Sequence, residues 1–490
     1  MKTEEELRAF VSSELEDSIH IVVSNREPYT HVFDGDEIRC IETLGGVTIA
    51  LRPVIKACGG TWVAHGSGTA DREVADRKGR LRVPQENPSF TLRRVWLSKK
   101  EEYGYYYGFC NKGLWPLCHT AYVRPTFDRE DWEYYKKVNL KFADTILDEI
   151  GDRPAQIFIQ DYHFALLPRM LRKKRPENMV IIQFWHIPWP NPEAFSICPW
   201  RQEILKGLLG NDLIGFQVQG HCNNFLDTID RELEARVDRE RFAVFSGGKQ
   251  TLVQPFPISL DFEEYSQYAR SQGVEAEMET LSRRLRLKGK LIGVGVDRID
   301  YTKGIIERLR ALDKFLEHNP KYHKRFVFIQ IGAPSRIHIE AYKRLAANIE
   351  DTVAEINWKY QKDTWKPIIY LKEHTVRQTI VALFRLADFC LVSSLHDGMN
   401  LVAKEFVATR KDNKGVLILS RFTGAAVELR DALLINPFAI DDVADTIKRA
   451  LEMSEKEQGR RMRKMRQTIK ENNIYNWIGS IIEETSNLGR

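Results

Sequence analysis

The stretch "KLIGVGVDR", residues 290–298, decides the fold. It is apolar and rich in valine and isoleucine, and it ends in Asp-Arg, which reads as a buried strand delivering charge to its end. It also restarts a series. Earlier in the chain "IHIVVSN" (19–25), "AQIFIQD" (155–161), "MVIIQFWH" (179–186) and "DLIGFQ" (212–217) read the same way. After it come "RFVFIQIGAPSR" (325–336), "PIIYLKE" (367–373), "FCLVSS" (389–394) and "GVLILSR" (415–421). Helical patterns such as "WEYYKKVNLKFADTILDEI" (132–150) and "FALLPRMLRKKR" (164–175) separate them. Continuous apolar strands alternating with helices argue for parallel sheets covered on both faces. Two series predict two doubly wound α/β domains, at 1–255 and 256–470, with "TLVQPFPISLDFEEY" (251–265) as linker. The last segment, 471–490, carries a helical apolar stripe and is predicted to return to the first domain, although a plain packing helix reads equally well.

Composition narrows the function classes. At 43% hydrophobic and 29% charged, the 490 residues suit a globular protein. A net charge of +5 is spread over 73 basic and 68 acidic residues, without the basic stripe expected of a nucleic-acid binder. No run of about 18 apolar residues calls for a membrane span. The start, "MKTEEELRAFVSSELEDS", is acidic and lacks the apolar core of a signal peptide. Seven cysteines (Cys40, Cys58, Cys110, Cys118, Cys198, Cys222 and Cys390) form no CxxC pair. Free thiols in the cytoplasm are therefore expected, with neither disulfides nor zinc.

In open α/β sheets ligands gather beyond the carboxyl ends of the strands, and two such domains facing each other create a cleft. The residues placed there are the candidates. Ser24-Asn25-Arg26 follows the first strand, and Gly45-Gly46 opens a helix where backbone amides can be approached. Asp161-Tyr162-His163 and His186 follow later strands, the latter held by a proline-rich loop. Arg298 and Lys303 stand five residues apart after the deciding strand, a spacing suited to a pyrophosphate. "SLHDGMNLVAKEFVATR" (394–410) sets Asp397, Met399 and Asn400 before a helix, with Glu405 on the face of Leu401 one turn on. A capped helix after a loop is the plainer reading of that stretch. No GxxxxGK[ST], GxGxxG or GxSxG pattern occurs, which argues against P-loop, nicotinamide and serine-hydrolase chemistry. After the different strands Asp and Glu occur singly, so no metal site is expected.

Taken together, "SNR", "LGGV", "LWP", "QDYH", "WHIPWPNPEAF", "VDRIDYTKG", "APSR" and "HDGMNLVAKEF" occur in the order seen in trehalose-6-phosphate synthases, and the chain resembles that family from about residue 20 onward. The resemblance implies the GT-B fold, a retaining transfer of glucose from UDP-glucose to glucose 6-phosphate without metal or cofactor, and, since its pattern uses nearly the whole chain, no fused phosphatase domain. It implies Arg298 and Lys303 at the donor pyrophosphate, and Gly46, Asp397, Met399, Asn400 and Leu401 around the donor. Glu405 falls to the ribose, His186 to the sugar 6-hydroxyl and Asp161 to the acceptor. Arg26, Tyr106, Trp115 and Arg336 match the acceptor-phosphate positions. A homo-oligomer is left open.

Three stretches depart from the family. "SNREPY" carries an acid and a proline, "HGSGTADRE" (65–73) replaces a tryptophan-rich segment, and Trp189 stands where phenylalanine is usual. All three are expected on the acceptor side. They keep two alternatives open: a glucosylglycerol-phosphate synthase using glycerol 3-phosphate, and a silent sugar-phosphate-binding homologue or scaffold.

Overall fold

In the structure, a computed structural model, the deciding stretch is the strand Leu291–Arg298, inside a six-stranded, all-parallel sheet. Its neighbours are Phe326–Ala333 on one side and Phe389–Cys390 of the strand Phe389–Val392 on the other. The sheet continues outward to Ile368–Leu371 at one edge and through Val416–Ser420 to Leu433–Ile435 at the other. The chain thus builds outward in one direction and then restarts beside its first strand. Arg298 and the segment after Val392 leave the sheet at that switch point, where adjacent strand ends diverge and leave room for a ligand. Val294, Phe328, Ile329 and Leu391 are fully buried. Each such side chain contributes about 1.5–3 kcal/mol of burial.

The described residues are 3–14, 18–43, 46–175, 177–373 and 375–486. The chain divides into two compact units: one runs to Ile258 and resumes at Ile474, the other spans Ser259–Asn473. The first unit holds a ten-stranded sheet whose parallel centre is 249–255, 213–216, 179–184, 155–160, 19–26, 61–65 and 90–95, in that spatial order. Here the switch lies between Ile19–Arg26 and Ala155–Gln160, and it places Arg26 and Asp161 at adjacent strand ends. Helix Ile474–Ser486 belongs to this unit. Trp477 packs against Phe184 and Phe158 with centroids at 5.1 and 5.9 Å and donates Nε1–H to the Phe256 carbonyl at 3.0 Å.

Three features differ from the sequence expectation. The stretch expected as linker begins with a strand, Lys249–Pro255, paired parallel to 213–216. Leu252 and Val253 are buried there, and Pro255, which lacks an N–H, ends it. The sheet is not purely parallel: Arg80–Val83 pairs antiparallel at one edge, Ala243–Ser246 and Arg236–Asp238 at the other. A separate hairpin, Tyr29–Asp34 with Glu37–Glu42, follows Arg26, and its second strand is exposed along its whole length. Among the described residues no helix is long and apolar enough to cross a membrane, and the six described cysteines are free.

Candidate functional site

In the second unit the site is built on Asp300. Its Oδ1 accepts from the Thr302 amide at 3.0 Å and the Thr302 hydroxyl at 2.9 Å, which shapes the turn Tyr301–Lys303. Its Oδ2 accepts from Arg336 Nη1 and the Tyr342 hydroxyl, both at 3.2 Å. Burial works to raise the Asp300 carboxyl, but Arg336, Arg298 and Lys303 hold it below its ordinary value. Three expected cations therefore share one buried carboxylate that sequence reading passed over. Arg298 is exposed at the strand end, whereas the Arg336 side chain is only 4% exposed. Gly304 makes the turn workable. It adopts φ +60°, and a Cβ there would lie 2.2 Å from the Ser393 carbonyl oxygen.

The loop after Val392 meets this turn. Leu395 donates its amide to the Thr302 carbonyl at 2.7 Å. Asp397 Oδ2 accepts from Lys303 Nζ at 2.5 Å, Asn400 Nδ2 at 3.1 Å and the Ser394 hydroxyl at 3.2 Å. Asn400, in the left-handed region at φ +83°, caps the helix Leu401–Thr409 by accepting from the Ala403 amide at 3.1 Å. The plainer reading of this stretch is therefore correct as far as it goes. The same cap also fixes Asp397 against Lys303. Met399 is buried, and its carbonyl accepts from the Ala425 amide at 2.9 Å; Leu401 is half-buried at the helix start. Glu405 is held by another partner, the Tyr265 hydroxyl at 3.0 Å, and burial pushes its carboxyl up. Arg377 stacks over Tyr265 at 4.2 Å and bonds Glu264 at 2.6 Å, bracing that tyrosine.

In the first unit Asp161 has φ +72° and ψ 178°, a conformation nearly confined to glycine. Its amide donates to the Phe184 carbonyl at 2.7 Å, and its Oδ1 accepts from the His186 amide at 3.2 Å. The His186 Nε2 pairs with Gln160 Oε1 at 2.9 Å. Burial lowers its pKa to about 3, so the ring is neutral.

Tyr106 sits in a π-helical segment, Tyr103–Leu114, that the sequence pattern does not announce. Gly104 and Gly108 let it pack, since a Cβ would come within 2.4 Å of Tyr134 and 2.3 Å of Asp131. The Tyr106 hydroxyl accepts from Arg26 Nη2 at 3.4 Å, and its ring stacks on His163 at 5.8 Å. Trp115 is buried with its ring 5.9 Å from Tyr162. Asn111 links these parts, accepting from the Tyr162 hydroxyl at 3.0 Å and donating to the Tyr106 carbonyl at 2.7 Å. Gly46 is the first residue of helix Gly46–Cys58; its neighbour Gly45 lies outside the described residues.

Packing accounts for one of the departures from the family. Trp189 is fully buried, its Nε1–H donates to the Thr228 hydroxyl at 3.1 Å, and Phe195 and Phe225 surround it at 4.6 and 4.8 Å. It is a core residue of the first unit.

The family profile described as glycosyltransferase family 20 matches residues 18–487. The trehalose-6-phosphate synthase of Mycolicibacterium gilvum (strain PYR-GCK) is 38% identical over 471 residues, covering 94% of this chain and 92% of that one. A UDP-forming α,α-trehalose-phosphate synthase from Burkholderia xenovorans, solved in complex with glucose-6-phosphate, is similar at a TM-score of 0.86 and 31% identity, over 96% of this chain and 100% of that chain. An E. coli structure bound with UDP-2-fluoro glucose gives 0.85 and 33%, over 96% and 99%.

Proposed function

The chain belongs to glycosyltransferase family 20, and from that premise we propose that it moves glucose from UDP-glucose to glucose 6-phosphate, with retention, giving α,α-trehalose 6-phosphate and UDP. The observation that carries this reading is the convergence of Arg298, Lys303 and Arg336 on Asp300 at a sheet switch point, beside Asp397. Three cations against two carboxylates leave one positive charge in excess, a setting for phosphate oxygens.

In this reading Arg298 and Lys303 take the donor pyrophosphate. Asp397 uses one of the three N–H bonds of Lys303 and so directs the other two. Asp397 and the backbone of Met399, Asn400 and Leu401 hold the donor glucose, Gly46 approaches the donor, and Glu405 binds the ribose hydroxyls. His186, kept neutral by burial, hydrogen-bonds the sugar 6-hydroxyl through its ring and takes no proton from it. Arg26, Tyr106, Trp115 and Arg336 take the acceptor phosphate, and Asp161 orients the acceptor hydroxyl. The bond from the anomeric carbon to the UDP oxygen breaks as the acceptor oxygen bonds the same face. The acceptor proton passes to the departing phosphate. The residues contribute positioning and charge stabilisation. Free thiols suit a reducing, cytoplasmic setting.

The test is nucleotide release from UDP-glucose, with glucose 6-phosphate and glycerol 3-phosphate as parallel acceptors and EDTA in one arm. EDTA-resistant release with glucose 6-phosphate is the expected outcome. Turnover with glycerol 3-phosphate alone would move the chain to the glucosylglycerol-phosphate reading. Arg298→Ala should lower turnover by about two orders of magnitude or more; near-normal turnover would remove Arg298 from the charge-stabilising role.

A further inference from the structure

Two of the stretches that depart from the family meet in the structure as one buried cluster. Glu27, directly after Arg26, is 1% exposed, and Asp71, from "HGSGTADRE", is fully buried. Arg94, also buried, stands between them. Its Nε donates to Glu27 Oε2 at 2.7 Å, and its Nη2 lies 2.9 Å from Asp71 Oδ1. The remaining Arg94 hydrogen bonds go to the carbonyls of Asp71 at 3.0 Å and Tyr29 at 3.1 Å, and to His31 Nδ1 at 2.8 Å. Backbone amides complete the set: Ser67 donates to Glu27 Oε1 at 3.2 Å, Gly68 to Asp71 Oδ2 at 2.6 Å, and His31 to Asp71 Oδ1 at 2.8 Å. Glu27 is thereby tied to the strand Phe90–Val95 and to the loop after His65.

The Arg26 backbone lies between this anchor and a second one. The Ser24 hydroxyl donates to the Arg26 carbonyl at 2.6 Å while accepting from Trp62 Nε1 at 2.8 Å. The register against the strand Thr61–His65 slips between Ser24 and Arg26, so strand pairing alone does not fix this residue. The Arg26 side chain is exposed. Its aim therefore depends on how firmly its own backbone is held, and that rests on the residues at either side.

We propose that Glu27, clamped by Arg94 and Asp71, is a positioning residue that sets the aim of Arg26 at the acceptor phosphate. This rests on the reading of Arg26 given above. It also accounts for the two departures as one device, since the acid in "SNREPY" and the acid in "HGSGTADRE" share a single guanidinium.

The cluster gives the device a pH signature. Burial and the hydrogen bond to Asp71 raise the Glu27 carboxyl to about 8, against the pull of Arg94. Burial also works to raise Asp71, but hydrogen bonds from His31 and Glu27 and the Arg94 charge hold it well below the usual carboxylate range. The groups facing Glu27 are Asp71, Arg94 and, from the second hairpin strand, Cys40; His31 from the first hairpin strand meets Arg94 and Asp71, and His65, lowered to about 4 by burial, faces Asp71. Near neutrality one positive charge thus meets one negative. Above about pH 8 a second carboxylate ionises beside Asp71, and their repulsion loosens the clamp.

The test is the dissociation constant of glucose 6-phosphate, by calorimetry on the full chain, for the wild type, R26A, E27A, E27Q and R26A/E27A, with a thermal melt of each. E27A should weaken binding at least tenfold at pH 7, E27Q no more than about threefold, and E27A should add nothing once Arg26 is gone. Wild-type affinity should fall between about pH 7.5 and 9.5, and that of E27Q should stay flat. If R26A binds as tightly as the wild type, the acceptor reading of Arg26 falls and this inference with it. If R26A weakens binding but E27A does not, or the two losses add, the inference alone is overturned. Should E27A fail to fold, the pH comparison between wild type and E27Q decides, and parallel curves overturn it.

Discussion

Burial keeps His186 neutral in the folded chain down to about pH 3, whereas an unfolded chain would take up that proton near 6.5. Between those values the unfolded state binds more protons, so stability is lost as pH falls through this window. H186Q should therefore lose less melting temperature than the wild type between pH 7 and about pH 4.5; equal losses would count against a buried neutral ring. Tyr265 lends itself to a kinetic test. In the proposed function Glu405 binds the donor ribose, and Y265F deletes its hydrogen bond. The UDP-glucose KM should rise about fivefold, as expected for roughly 1 kcal/mol, with the glucose 6-phosphate KM unchanged. Which residues were legible in sequence follows from these contacts. Arg26, Asp161, Arg298 and Asp397 announce themselves by standing at or just after strand ends. Asp300 and Glu27 also follow strand ends, but position alone does not reveal their roles or that of Tyr265, because those depend on partners 36, 67 and 140 positions away. Glu27 drew attention only as a departure from the family.

At the scale of elements, the loop 394–400 depends on a glycine outside its own motif. A Cβ on Gly424 would come within 2.0 Å of the Gly398 carbonyl oxygen, and the Gly424 amide donates to the Asp397 carbonyl at 3.2 Å. G424A should cost about 1–3 kcal/mol by overpacking and weaken UDP-glucose binding, as the loop is pushed from Lys303. Unchanged donor affinity in a destabilised G424A would separate the loop from the donor. The long elements were readable because burial imposes a period. Parallel strands such as Phe326–Ala333 are apolar along nearly their whole length, and Arg129–Ile150 carries a helical stripe. The π-helical segment was not readable. Its geometry is set by Gly104 and Gly108 against residues of that long helix, and local sequence carries no trace of them. The hairpin after Arg26 escaped for the opposite reason: its second strand buries nothing, so no alternation marks it.

At the scale of the molecule, the first unit is assembled from two separated pieces of chain. Trp477 supplies an aromatic contact and a hydrogen bond to that unit from its far end. W477A should cost about 3–5 kcal/mol. By hydrogen exchange, protection should be lost in the strands Ala155–Gln160 and Met179–Phe184 and retained in Leu291–Arg298. Uniform loss would show that the units do not unfold separately. The division has a further consequence for a nascent chain. A ribosome delivers residues in order, and domains fold as their segments emerge. The unit begun first cannot finish first, because its closing helix, Ile474–Ser486, is made after all of Ser259–Asn473. The later unit has every part it needs before the earlier one does. Order of birth and order of completion are thus reversed, and a chain cut short near its end would carry one finished unit beside one still waiting.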